Sequence, residues 1–106
     1  MGFYLIFEKY MFEYNDDIKQ DISVAAYYLA EKGNSYDDLC WMLAERQLFL
    51  QNNFQKADQN SIKDLAVKIY QTNPAYDILC WLISEIDLLL KAKKLRDKKK
   101  PHFILD

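Results

Sequence analysis

Glycine and proline occur only twice each in this 106-residue chain, and histidine once. So few chain breakers exclude an all-β fold, which needs many tight turns, and suit a few helices joined by short connections. The lone histidine, His102, stands four residues from the end of the sequence. No Ser-His-Asp or Cys-His set can be assembled around it, and no glycine-rich phosphate loop is present. The two cysteines, Cys40 and Cys80, are forty positions apart, so there is no C-x-x-C pair and no metal-ligand spacing. No apolar run approaches the roughly 20 residues of a spanning helix. The opening MGFYLIFEKY has no basic stretch ahead of its apolar residues, unlike a secretory leader. These absences lead us to expect a cytoplasmic protein with reduced thiols. It is expected to have no cofactor, no metal, no membrane span and no enzymatic activity.

Hydrophobic residues make up 51 % of the chain and aromatics 15 %, a globular composition that can fill one core at this length. One domain over 1–106 is therefore expected. The net charge of −2 hides an uneven distribution: residues 1–53 carry nine acids and four bases, residues 54–106 seven acids and ten bases. Seven of those ten bases fall in KAKKLRDKKK, residues 91–100. Lys91, Lys93, Lys94, Arg96, Lys98, Lys99 and Lys100 form a candidate contact for nucleic acid or another polyanion. The same run reads equally as a solvated helix end, where lysine suits the helix dipole.

The strongest signal is internal. YDDLCWMLAERQLFL, residues 36–50, returns as YDILCWLISEIDLLL, residues 76–90, with eight identities in fifteen positions. Ahead of each block lies a weaker helical pattern: Ile18, Ile22, Ala25, Ala26 and Leu29 in the first copy, and Ile62, Leu65, Ala66, Ile69 and Tyr70 in the second. The unit is thus helix, short turn, helix, copied once at a period of forty. Repeat one spans 16–53 and repeat two 57–97, with helices expected near 16–32, 36–53, 61–72 and 74–97. Ser35 with Asp38 makes an acidic capping box. Asn73 followed by Pro74 reads as a helix start, as does Ser61 with Asp64. Gly33 closes the first helix. The fold expected is all-α, two tandem αα-hairpins forming a four-helix bundle. The aromatic stretch FYLIFEKYMFEY, residues 3–14, is expected to add a further helix. Residues 98–106 form a basic and apolar tail.

Stepping about 100° per residue around the block helix spreads its apolar groups over most of the circumference. Leu39, Cys40, Leu43 and Leu50 share one arc with Tyr36. Trp41 and Leu48 fall on a second arc, Met42 and Phe49 on a third. A helix apolar all round must be covered all round. Coverage by the N-terminal stretch and self-association into a homodimer are both expected. The candidate interface is Tyr36, Trp41 and Glu45 with their copies Tyr76, Trp81 and Glu85; each tryptophan reads as a core anchor or an interface anchor. Asp37, Cys40 and Glu45, with Asp77, Cys80 and Glu85, make an alternative ligand or metal module. Small buried thiols at a helix crossing explain the cysteines more simply.

From Ile22 to Leu48, the residues Ala26, Tyr27, Gly33, Asp38, Trp41, Ala44, Glu45 and Leu48 resemble a bacterial family of small helical domains of unknown function with a W-x-x-A-E-x-x-L signature. The resemblance covers about a quarter of the chain; it implies a helical hairpin and no activity. The function expected is a protein–protein interaction module, an adaptor, regulator or inhibitor, acting as a homodimer.

Overall fold

The computed structural model describes the backbone of residues 16–99 and the side chains of residues 16–94. The further helix expected over 3–14 and the end of the tail, 100–106, lie outside the described residues. Within them are four α-helices and no strands: α1 Asp16–Glu31, α2 Tyr36–Gln51, α3 Gln59–Thr72 and α4 Tyr76–Lys99.

The helix ends follow from local chemistry. Ser35 holds an extended backbone, and its hydroxyl oxygen accepts the Asp38 N–H at 3.0 Å, satisfying one of the amides that a helix start leaves open. Gly33, at φ +71°, ends α1 in the left-handed region. Its counterpart forty residues on is Asn73, also left-handed at φ 55°, whose N–H returns to the Ile69 and Tyr70 carbonyls. This corrects the expectation that Asn73 and Pro74 open α4. A residue that closes α3 in the left-handed conformation cannot also cap the next helix. α4 starts instead at Tyr76, with the Ala75 carbonyl accepting the Leu79 N–H. α3 begins two residues ahead of Ser61, because the Asp58 carboxylate accepts the Ser61 N–H at 2.7 Å. That bond holds the Asp58 carboxyl below its usual range.

The helices do not pair as two closed hairpins. α1 packs on α4, α3 packs on α2, and α2 and α4 pack on each other. Each repeat lends its first helix to the block helix of the other. The Tyr36 hydroxyl donates to the Pro74 carbonyl. Arg46 reaches Asp87 about ten residues further along both helices. The two block helices therefore run side by side in the same direction. Their facing residues Leu39, Cys40, Leu43, Leu79, Cys80, Ile83 and Ile86 form a buried core. Ile62, Ala66 and Ile69 of α3 close it from one flank. From residue 31 to 40 and from 71 to 80 the sequence of buried, half-buried and exposed positions is the same at all ten places. The repeat is thus a pseudo-two-fold in three dimensions.

The apolar circumference of α2 and α4 is consequently covered to a large extent within one chain. α1 is the thinner cover: Ile22 is its one buried residue, Ala25, Ala26 and Leu29 are half-buried, and Ile18 is exposed.

Candidate protein-interaction site

The pseudo-two-fold sorts the residues expected at an interface into different roles. Tyr36 and Tyr76 are part-buried at the joint between the two turns, where their hydroxyls bond to the Pro74 and Asn34 carbonyls. The Tyr36 ring also stands edge-on to Tyr70, with centroids 5.6 Å apart. Trp41 and Trp81 are half-buried against the core. Glu45 is exposed, whereas Glu85 is buried. The six are therefore distributed between the joint, the core and two flanks, and they do not make one continuous patch.

The two thiols are free and buried. Burial pushes both up from the ordinary cysteine range, and the carboxylates of Asp37 and Asp77, three residues earlier on the same helices, push in the same direction. Such thiols stay protonated and are poor nucleophiles and poor ligands at neutral pH. Among the described residues, no group of three or more His, Cys, Asp or Glu side chains could hold a metal ion.

In the basic run, Lys91 and Lys94 are exposed. Lys93 is half-buried, with its Nζ 4.5 Å from the centre of the Phe54 ring, a cation–π contact. The side chains of Arg96, Lys98, Lys99 and Lys100 lie outside the described residues. Phe54 itself holds a left-handed backbone at φ 65°, which is costly for a bulky side chain. Its N–H bonds to the Phe49 carbonyl at 2.8 Å, and its ring stands edge-on to Phe49 with centroids 5.9 Å apart. These contacts pin the connector 52–58 across the ends of α2 and α4.

Beside that connector lies a cleft of about 370 Å³. Its floor is apolar: Phe49 from α2, Ala57 from the connector, Ile62 from α3 and Leu90 from α4. Its rim carries both signs of charge, with Glu45, Arg46, Lys56 and Asp87 around it. Arg46 organises the rim. Its Nε bonds to Asp87 Oδ1 at 2.7 Å, a second nitrogen donates to the Met42 carbonyl at 3.1 Å, and Glu45 stands at 3.9 Å. An apolar floor within a rim of mixed charge suits a protein side chain or short peptide better than a polyanion.

Sequence reasoning singled out Glu45 alone from this cleft. The signal that marks the rest is the failure of the repeat. Positions 46 and 47 are Arg and Gln, while 86 and 87 are Ile and Asp. One residue from each break, Arg46 and Asp87, makes the ion pair on the open cleft.

The large exposed apolar groups among the described residues are Ile18, Val24, Tyr27 and Tyr28 on α1, Val67 and Tyr70 on α3, and Ile78 on α4. Tyr27 and Tyr28 meet edge-on at 5.5 Å. No described helix is long and apolar enough to cross a membrane. Comparison of the chain with protein-family models, with curated proteins and with solved structures gives no match.

Proposed function

We propose that this chain is a cytoplasmic protein-binding module, an adaptor, regulator or inhibitor without catalytic activity, that works as a homodimer. The observation that carries the binding role is the cleft over Phe49, Ala57, Ile62 and Leu90 with Glu45, Arg46, Lys56 and Asp87 on its rim. The homodimer is supported by Val24, Tyr27 and Tyr28, which leave aromatic and aliphatic surface uncovered on the outer face of α1. Tyrosine is favoured at protein interfaces because it offers a large apolar body with one polar handle.

Light scattering after size exclusion, at several concentrations, tests the dimer. A mass twice that of the chain, returning to that of one chain in Val24→Asp/Tyr27→Asp, is the expected result. A single-chain mass throughout would overturn it. For the binding role, a protein partner found by crosslinking should be lost on filling the cleft with Ala57→Trp and retained with Lys94→Glu. Loss with Lys94→Glu alone would favour the polyanion reading of the basic run, with affinity falling steeply with salt.

A further inference from the structure

Among the described residues, the three principal helix packings, α1 on α4, α3 on α2 and α2 on α4, all cross from one repeat to the other. The two helices of a single repeat make no comparable packing with each other. The hydrogen bonds of Tyr36 to Pro74, Tyr76 to Asn34 and Arg46 to Asp87 cross in the same way. Each half is thus complementary to the other half and not to itself. A second copy of the chain offers the same complement, with the same contacts. What differs between the two arrangements is the connector 52–58.

That connector has to turn the chain back. α2 and α3 lie antiparallel: Tyr36 at the start of α2 meets Tyr70 near the end of α3, and Phe49 near the end of α2 shares the cleft with Ile62 near the start of α3. The turn is made with Asn53 and Phe54, consecutive residues at φ 55° and 65°. Such a backbone crowds the Cβ of any residue but glycine. The turns ahead of α2 and α4 use one left-handed residue each, Gly33 and Asn73. The strained turn is held by the Phe54 N–H on the Phe49 carbonyl, by Lys93 over the Phe54 ring and by the Asp58 carboxylate on the Ser61 N–H. No glycine or proline lies between Gln51 and Gln59, so nothing in the sequence forbids α2 from running straight on into α3.

We propose that the connector 52–58 is a hinge, and that its open form joins the chain to a second copy by exchange of repeats. α1 and α2 of each copy then pack on α3 and α4 of the other, and the two joined α2–α3 helices lie antiparallel. Short hinges under strain favour such exchange. Each cleft becomes a site built by two chains, with Glu45, Arg46 and Phe49 from one and Ile62, Asp87 and Leu90 from the other. The exchange does not involve the outer face of α1 and is independent of a dimer built on Val24, Tyr27 and Tyr28.

Two full-length chains test this, one carrying Arg46→Cys and the other Asp87→Cys. Both also carry Val24→Asp/Tyr27→Asp, which takes the α1 face out of play. They are mixed, unfolded, refolded together at high concentration and treated briefly with a short bismaleimide, to which the buried Cys40 and Cys80 respond slowly. A linked pair of chains is the expected result, because positions 46 and 87 meet across the cleft. A chain with both cysteines, refolded dilute, supplies the internal link as a control. No link between copies where the control links would overturn the proposal, as would a link formed equally well by either chain alone. Asn53→Ala/Phe54→Ala, which removes the ring held by Phe49 and Lys93 and favours helix through the connector, should raise the linked fraction at limiting concentration by about tenfold. Asn53→Gly, which relaxes the turn and keeps its contacts, should lower it. Should the double alanine variant not fold, Asn53→Gly decides alone, and an unchanged linked fraction would overturn the hinge.

Discussion

Tyr36 and Tyr76 exchange equivalent hydrogen bonds across the pseudo-two-fold: the Tyr36 hydroxyl donates to the Pro74 carbonyl and the Tyr76 hydroxyl to the Asn34 carbonyl, the second at 2.6 Å. Each tyrosine opens one block helix and is tied to the turn that precedes the other. Together they clasp the parallel α2 and α4 at their starts.

Removing either hydroxyl leaves a part-buried carbonyl without its donor. Tyr36→Phe and Tyr76→Phe should each lower stability by about 1 kcal/mol in urea unfolding. Because both bonds close one joint, the double variant should depart from additivity by roughly 0.5 kcal/mol or more. Simple additivity would mean that the two turns are held independently.

Leu39 and Leu79 occupy equivalent, fully buried places in the core. Leu39→Ala and Leu79→Ala should each cost about 2–5 kcal/mol, through lost burial and the cavity left behind. By contrast Tyr27→Ala, on an exposed site, should change stability by no more than about 0.5 kcal/mol. Chemical denaturation at neutral pH measures all three.

The Arg46–Asp87 pair is short but lies at the rim of an open cleft, where water screens it. A double-mutant cycle with Arg46→Ala and Asp87→Ala should give a coupling of about 0.2–1 kcal/mol, shrinking as salt is raised. A coupling insensitive to salt would mean that the pair is shielded from solvent.

Titration supplies a further check. Burial raises the Cys40, Cys80 and Tyr36 groups above their ordinary ranges; the Cys40 and Tyr70 groups push Tyr36 in the same direction. A raised value means that the folded state prefers the protonated form. Stability from these groups is therefore fully present below the unfolded thiol value of about 8.5, and it is lost as pH rises through the folded values. Melting temperature should fall on the alkaline side, and less so in Cys40→Ala/Cys80→Ala. A thiol reagent at mildly alkaline pH should label the native chain much more slowly than the unfolded one.

Gly33 holds φ +71° with open space where a side chain would project, so Gly33→Ala meets no clash. The cost is backbone strain alone, about 1 kcal/mol. Asn73→Gly should be neutral or slightly stabilising, since Asn73 holds the same left-handed conformation at φ 55°.

Much of this architecture is written locally. Ser35 and Gly33 announce helix boundaries because capping involves residues a few positions apart. The recurrence of Tyr36–Leu50 at Tyr76–Leu90 announces the duplication. Where one residue could serve two ends, as at Asn73, local reading chose the wrong helix, because the left-handed closure of α3 wins over a new start. The exchange of α1 and α3 between the repeats is not legible. An apolar stripe such as Ile22, Ala26 and Leu29 specifies that a face is covered, not which helix covers it. The cleft is not legible for the same reason. Arg46 and Asp87 stand forty-one residues apart, and their meeting depends on the parallel register of α2 and α4. What the sequence does carry is the break in the repeat at 46/86 and 47/87, which separates a flank with exposed Glu45 and Asp87 from one where Glu85, Ile86 and Gln47 are buried.

The exchanged outer helices have a consequence for how the chain folds. The α1–α4 contact joins segments separated by most of the described sequence, where the two helices of one hairpin would meet across a short turn. Its folding should be slower than that of a bundle whose helices meet only within sequential hairpins. Neither half has a finished core of its own. A single copy would leave its outer helix facing nothing and its block helix bare on two sides. Two separate copies could complete each other as one chain does now. The duplication thus converts what would be an encounter between molecules into a connection of a few residues between Gln51 and Gln59.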